Sequence, residues 1–164
     1  MKVIKLSIPG LLLIQPDLFK DERGFFLETY NILRYQDILG EQIKFVQDNM
    51  SYSRYGTIRG LHFQKEPFAQ AKLIRCTEGK IKDVAVDIRI NSPTFGKHIY
   101  IELNGEEQYQ LFIPRGFAHG FSVLSKFAIV EYKCDAYYNK LADSGIRFDD
   151  PELNIDWNIP DESV

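Results

Sequence analysis

The segments Arg59-Gly60-Leu61-His62-Phe63-Gln64 and Gln70-Ala71-Lys72 place an arginine, a histidine and a lysine close together in the chain. Histidine titrates near neutrality, and a fixed cation beside it suits proton transfer on an anionic substrate. Spacing alone works against such a site. Side chains alternate along a regular strand, which sends Arg59 and His62 to opposite faces. Gly60 lies between them, and a glycine inside a strand often marks a bulge. One extra residue there turns both side chains the same way. A hydrogen-bonded core histidine fits this segment equally well.

Two further residues widen the inventory. His119 lies in the glycine-rich Pro114-Arg115-Gly116-Phe117-Ala118-His119-Gly120-Phe121, and Tyr132 shares a strand face with Ala128, Val130 and Cys134. A tyrosine among small apolar neighbours is more often core than catalyst. By type, His62, Lys72, Tyr132, His119 and Arg59 supply a general base, a cation for a developing oxyanion, a candidate acid and phosphate anchors. Other chemistries are poorly supplied. The three histidines, His62, His98 and His119, include no His-x-His pair, which argues against a metal site. Neither Gly-x-Gly-x-x-Gly nor Gly-x-x-x-x-Gly-Lys-Ser/Thr occurs, and no serine lies in an elbow motif.

These side chains need a scaffold, and 164 residues suit one domain with a substantial core. A net charge of -3 gives no general attraction to nucleic acid or an anionic membrane, so an anionic ligand must meet local cations. The apolar run Leu11–Ile14 is hemmed in by Pro9, Gly10 and Pro16, too short to span a membrane. Cys76 and Cys134 each sit in an apolar strand-like segment and read as buried free thiols, which points to the cytoplasm.

Strand signals recur between glycines, prolines and asparagines, predicting an all-β sandwich or barrel. They cover 10–15, 23–30, 44–53, the stretch around His62, 72–76, 80–90, 97–103, 109–113 and 127–134. Helical spacing predicts one helix, Asn31 to Leu39, stopped by Gly40. Asn104-Gly105 signals a hairpin, and Pro114–Phe121 reads as a tight turn. In 80–90, Val84, Val86, Ile88 and Ile90 face one way and Asp83, Ala85 and Asp87 the other. Two acids on one face usually mean solvent; the alternative is a polar barrel interior, where Asp83 or Asp87 would reach His62 or His119. Asp83 is the favoured partner. Residues 136–164 show little periodicity and are expected to wrap the surface.

Longer motifs then run in order: Asp-Glu-Arg-Gly-Phe-Phe-Leu-Glu (21–28), Phe-Val-Gln-Asp-Asn (45–49), Arg-Gly-Leu-His-Phe-Gln (59–64), Asp-Val-Ala-Val-Asp (83–87), Ser-Pro-Thr-Phe-Gly (92–96), Ile-Pro-Arg-Gly-Phe-Ala-His-Gly-Phe (113–121), Glu-Tyr-Lys (131–133) and Asp-Asp-Pro-Glu-Leu-Asn-Ile-Asp-Trp (149–157). Together they resemble the dTDP-4-dehydrorhamnose 3,5-epimerase family over nearly the whole chain. The resemblance implies a metal-free, cofactor-free cupin, a jelly-roll β-barrel with one or two short helices that forms a strand-exchanged homodimer. Its substrate would be a dTDP-4-keto-6-deoxy sugar.

By that resemblance His62 removes protons beside the sugar ketone, Lys72 steadies the enolate oxygen, and Tyr132 returns a proton from the opposite face. Arg59 resembles a diphosphate anchor, and His119, Gln47, Asp48 and Asn49 match substrate-binding positions. Arg23, Phe26 and Glu28 resemble residues lent by the partner subunit, and Tyr138 the aromatic that stacks on thymine. Two departures stand out. Asp143 occupies a place where the family usually has glutamate, and the chain ends at Val164 without the family's Ser-x-Lys-Asp segment, whose acid is expected to pair with the catalytic histidine. Inversion at carbon 3 only, a different base, a ketoisomerase, or a non-catalytic sugar-nucleotide binder are the alternatives.

Overall fold

The alternating segments fold as two facing sheets. The computed structural model describes residues 1–159. Its elements are β1 (Lys2–Lys5), β2 (Leu12–Gln15), β3 (Phe19–Asp21), β4 (Gly24–Phe26), α1 (Ile32–Leu39), β5 (Gln47–Arg54), β6 (Ile58–Gln64), β7 (Lys72–Glu78), β8 (Lys80–Asp87), β9 (His98–Asn104), β10 (Gln110–Ile113), β11 (Phe117–Val123), β12 (Phe127–Cys134) and β13 (Asp143–Gly145). One sheet runs β1-β2-β10-β7-β12-β5 and the other β13-β6-β11-β8-β9, with β3-β4 as a separate pair. This is a jelly-roll barrel, as in cupins. Short, alternating strands favour it because each buries one face against the other sheet.

The barrel is apolar at one end. Ile74, Cys76, Ile81, Leu103, Leu111, Phe121 and Val130 pack there between the sheets. The helix covers the outside of the six-stranded sheet, where Tyr35 and Leu39 meet Ile14, Leu73 and Phe112. Asn31 caps it by accepting from the Leu33 amide at 3.1 Å, and Gly40 ends it, so the predicted helix holds to a residue. On the outside of the five-stranded sheet, Trp157, Leu153 and Ile155 lie over Leu61, Val84, Val86 and Ala118. The described part of the C-terminal stretch does wrap the surface; residues 160–164 lie outside the described residues.

That wrap corrects one expectation. Asp83 and Asp87 do not face solvent: both are fully buried, on the inner face of β8 beside Ala85 and Ile81. Val84 and Val86 look outward, and burying them needs the C-terminal segment. Asp87 is the anchor of the turn that follows. It accepts from Arg89 Nη2 at 2.7 Å, Ser92 Oγ at 2.6 Å and Thr94 Oγ1 at 2.6 Å, so it never approaches the histidines' mouth of the barrel through a free oxygen.

Two turn expectations also change. Asn104-Gly105 does not make a hairpin: β9 belongs to the five-stranded sheet and β10 to the six-stranded one. The turn carries the chain across the barrel, with Asn104 Oδ1 accepting from the Glu106 and Glu107 amides. His119 and Gly120 are not in a turn but inside β11, which pairs with β8 over its full length. β1, an edge strand of largely exposed residues, gave no sequence signal.

Candidate active site

The open end of the barrel holds a cavity of about 300 Å³ lined by Gln47, Asn49, Arg59, His62, Lys72, His119, Tyr132, Tyr138 and Asp143. Its two walls come from different sheets. Arg59 and His62 stand on β6 and His119 on β11, while Lys72 lies on β7 and Tyr132 on the adjacent β12.

A bulge brings Arg59 and His62 to the same side. Along the β6–β11 ladder His62 faces His119 and Arg59 faces Phe121, so three steps on β6 match two on β11. Gly60 makes this possible. Its φ is +137°, and a Cβ there would come within 2.5 Å of the Gly120 Cα. Leu61 then points outward to Val84 and Trp157. The bulge expected from Gly60 is present.

His62 keeps more than a third of its surface open at the cavity mouth. Partial burial is still the largest influence on it and, with the Lys72 cation, holds its pKa below the ordinary histidine value; Asp143 pulls the other way. A lowered pKa favours the neutral imidazole, the form that accepts a proton. Burial also pushes Lys72 below the usual lysine value, with Cys134 and Asp83 opposing. Its Nζ lies 5.9 Å from the centre of the Tyr132 ring. Burial raises Tyr132, which keeps the phenol protonated.

His119 is the histidine with a carboxylate. Its Nε2 lies 2.9 and 3.0 Å from the two oxygens of Asp83, which has no accessible surface. The favoured acid is thus in the barrel, but its partner is His119 and not His62. Arg59 donates from Nε to Ser53 Oγ at 2.8 Å. Tyr138 closes the rim, its amide donating to Gln47 Oε1 at 3.0 Å and its hydroxyl to Asp143 at 3.2 Å.

Asp48 and the three residues expected to serve a partner's site lie outside this cavity. Asp48 is a neighbour of two lining residues on one strand, so alternation turns it outward, where it pairs with Lys133 at 2.8 Å. Arg23 bonds Asp21 on the exposed β3–β4 hairpin, with 84% of its side chain accessible. Phe26 is 69% exposed on the same hairpin. Glu28 meets Arg34 at 3.0 Å. Conversely, Ser51, Gln64, Gln70, Phe121 and Cys134 line the cavity without having been singled out. Odd-numbered positions of β5 face inward together, and that alternation could have found Ser51. Among the described residues no three of His, Cys, Asp and Glu come together as metal ligands, and no helix is long and apolar enough to cross a membrane.

The fold is of the cupin type, and the proteins it matches are enzymes of the epimerase class. The family model for dTDP-4-dehydrorhamnose 3,5-epimerase matches residues 5–164. A protein of that description from Shigella flexneri is 50% identical over 159 residues, covering 97% of this chain and 88% of its own length. The crystal structure of such an epimerase from Elizabethkingia anophelis superposes with a TM-score of 0.93 at 50% identity, covering 99% of this chain and 89% of that one. A dTDP-6-deoxy-D-glucose-3,5-epimerase from Legionella pneumophila, solved with dTDP-4-keto-L-rhamnose, gives 0.94 at 46% identity over 98% and 85%. The chain belongs to the dTDP-4-dehydrorhamnose 3,5-epimerase family.

Proposed function

We propose that the protein inverts carbons 3 and 5 of dTDP-4-keto-6-deoxyglucose, giving dTDP-4-keto-L-rhamnose, and that His62 and Tyr132 carry the protons. The observation that supports this most is the placement of a neutral imidazole on one sheet and a protonated phenol on the facing sheet. Inversion needs a donor on the face opposite the base, because a single group returns the proton where it found it.

A carbon next to a ketone is acidic because its carbanion delocalises onto the ketone oxygen. His62 takes the proton from carbon 3 or carbon 5, and the charge develops on the carbon-4 oxygen. Lys72 faces that oxygen. Its lowered pKa makes it a readier proton donor than a surface lysine, which matches an oxygen that grows basic as the enolate forms. Tyr132 delivers a proton to the other face; His62 then loses its proton to solvent and the Tyr132 phenolate regains one from it, restoring both groups. Arg59 and His119 hold the diphosphate side, and Tyr138 stacks on the base. His119, fixed by Asp83, works as a binding group in this scheme.

The exposed hairpin carrying Arg23 and Phe26 is the segment that completes the neighbouring cavity in a homodimer. The buried thiols of Cys76 and Cys134 fit a reducing compartment, and we assign the cytoplasm. We treat the chain as one catalytic domain.

Proton NMR of the 4-keto sugar nucleotide with enzyme in heavy water tests the proposal. Deuterium should enter at carbons 3 and 5, with the inverted product accumulating. Exchange confined to carbon 3 identifies a single-carbon epimerase, and no exchange identifies a binder.

A further inference from the structure

The loop 135–142 carries Tyr138 to the rim of the cavity and has little of its own to hold it there. It runs from β12 to β13 outside both sheets, and Tyr137, Tyr138 and Leu141 stay 70%, 56% and 96% exposed. Apolar burial is therefore a weak hold, and segments with few such contacts open readily.

The hold is polar, and it comes from both sheets. The Tyr138 amide donates to Gln47 Oε1 of β5 at 3.0 Å, and the next amide, that of Asn139, donates to Gln64 Oε1 of β6 at 2.6 Å. Gln64 does more than accept. Its Nε2 donates to the Phe68 carbonyl at 2.8 Å and to the Tyr137 carbonyl at 3.3 Å. One side-chain amide thus joins the loop after β6 to the loop after β12, and it binds the backbone on both sides of Tyr138.

Gln64 differs from the residues that face a ligand. It is 7% exposed although it lines the cavity, and both ends of its amide are engaged by the chain: an N–H meets the oxygen, and two carbonyls meet the nitrogen. That pattern calls for glutamine. A glutamate would set a carboxylate against two carbonyl oxygens, and an apolar residue would leave one amide and two carbonyls short of partners. Gln64 also pairs with Asp143 across β6 and β13, and Asp143 accepts from the Tyr138 hydroxyl at 3.2 Å. The same place in the sheet therefore governs the backbone of Tyr138 and its ring.

We infer that Gln64 is a positioning residue for nucleotide recognition, holding the 135–142 loop so that the chain itself sets Tyr138 in place; this rests on the reading of Tyr138 as the group that stacks on the base. A loop ordered in advance spares the ligand the entropy of ordering it, and the saving appears as affinity. In this role Gln64 acts through Tyr138 and touches neither the diphosphate nor the reacting carbons.

Calorimetric titration of Gln64→Met, Tyr138→Ala and the double variant with dTDP and inorganic pyrophosphate tests this. Gln64→Met keeps the length of the side chain and removes its amide. Affinity for dTDP should fall about threefold to tenfold, the scale of ordering one such group, with pyrophosphate affinity unchanged. In the Tyr138→Ala background the same change should cost nothing further, since the residue it positions is gone. Amide hydrogen exchange gives a second readout: without ligand, the Tyr138 and Asn139 amides should be protected in the unaltered protein and released in Gln64→Met. Unchanged dTDP affinity in Gln64→Met overturns the inference. So does an equal loss for pyrophosphate, or an equal loss in the Tyr138→Ala background, since Gln64 then acts on the barrel as a whole. If Gln64→Met fails to fold, exchange in the unaltered protein decides, with rapid exchange of both amides overturning the inference and protection supporting it. Full dTDP affinity in Tyr138→Ala removes the base-stacking reading and this inference with it, whatever Gln64→Met does. No dTDP binding by the unaltered protein removes the sugar-nucleotide reading as well.

Discussion

His62 and His119 face each other across β6 and β11, yet only His119 is bonded to a carboxylate, the buried Asp83. Two imidazoles on neighbouring strands thus have different surroundings. The tethered one is fixed in orientation. The untethered one is held neutral by burial and by Lys72, which is the state a base needs.

His62→Asn should reduce deuterium exchange at every ring position by about a thousandfold, the scale of general-base catalysis. Its affinity for dTDP should change little. Tyr132→Phe should behave differently, because His62 can still remove and return a proton on its own face. Exchange should then survive better than net inversion. Measuring both rates on one sample separates the roles; equal loss of both in folded Tyr132→Phe counts against Tyr132 as donor.

The histidine pKa is open to direct titration by NMR. His62 should titrate below the reference of about 6.5, so the rate should rise with pH through that lower value and level off by neutrality. Lys72→Met removes a neighbouring positive charge and should shift the His62 titration upward. Asp143→Asn removes a negative one and should shift it downward. Shifts of the same sign in both variants would contradict the charge assignment.

Arg23 and Phe26 give an assembly prediction. If the hairpin serves a neighbouring cavity, Arg23→Ala and His62→Asn proteins should each be nearly inactive alone. After verified subunit exchange, a heterodimer has one cavity free of both lesions and should recover part of the activity. No recovery assigns Arg23 to its own chain's chemistry or to none.

Asp87 gives a stability prediction. Burial alone would raise its pKa, but hydrogen bonds from Arg89, Ser92 and Thr94 reverse that and hold it far below the usual carboxylate range. Asp87→Asn should cost about 3–5 kcal/mol at neutral pH, the range for breaking a buried pair. A depressed pKa stabilises the fold above the unfolded value of about 3.9, and that contribution fades as pH falls through the folded value. The gap between the two proteins in chemical denaturation should therefore be constant at neutral pH and narrow below about pH 4. A gap that persists unchanged in acid would mean the loss is one of packing alone.

Much of this was legible in the residues. Alternation located most strands, and Asn31 and Gly40 bounded the helix because capping is local chemistry. Gly60 announced the bulge that unites Arg59 with His62. What failed was what depends on distant partners. The inner face of β8 could not be recognised from its own pattern, because Val84 and Val86 are buried by residues some seventy positions later, among them Trp157. The turn at Asn104 has hairpin chemistry, and only the sheet order shows that it joins two sheets. Asp48 was grouped with Gln47 and Asn49 by motif, although three consecutive strand residues cannot share a face.

The contact between Gly60 and Gly120 has a consequence for how this protein can change over time. A Cβ on Gly60 would meet the Gly120 Cα at 2.5 Å, and one on Gly120 would meet the Arg59 carbonyl oxygen at 2.7 Å and the Gly60 Cα at 3.0 Å. Each position excludes a side chain because of the other's backbone, so neither can be relieved by altering its neighbour. The two glycines form a dead end for stepwise mutation: a descendant that abandons one must rebuild the ladder between β6 and β11, and in doing so it turns either Arg59 or His62 away from the cavity. Drift in substrate preference is left to the residues lining the walls, while the frame that aims them is inherited whole.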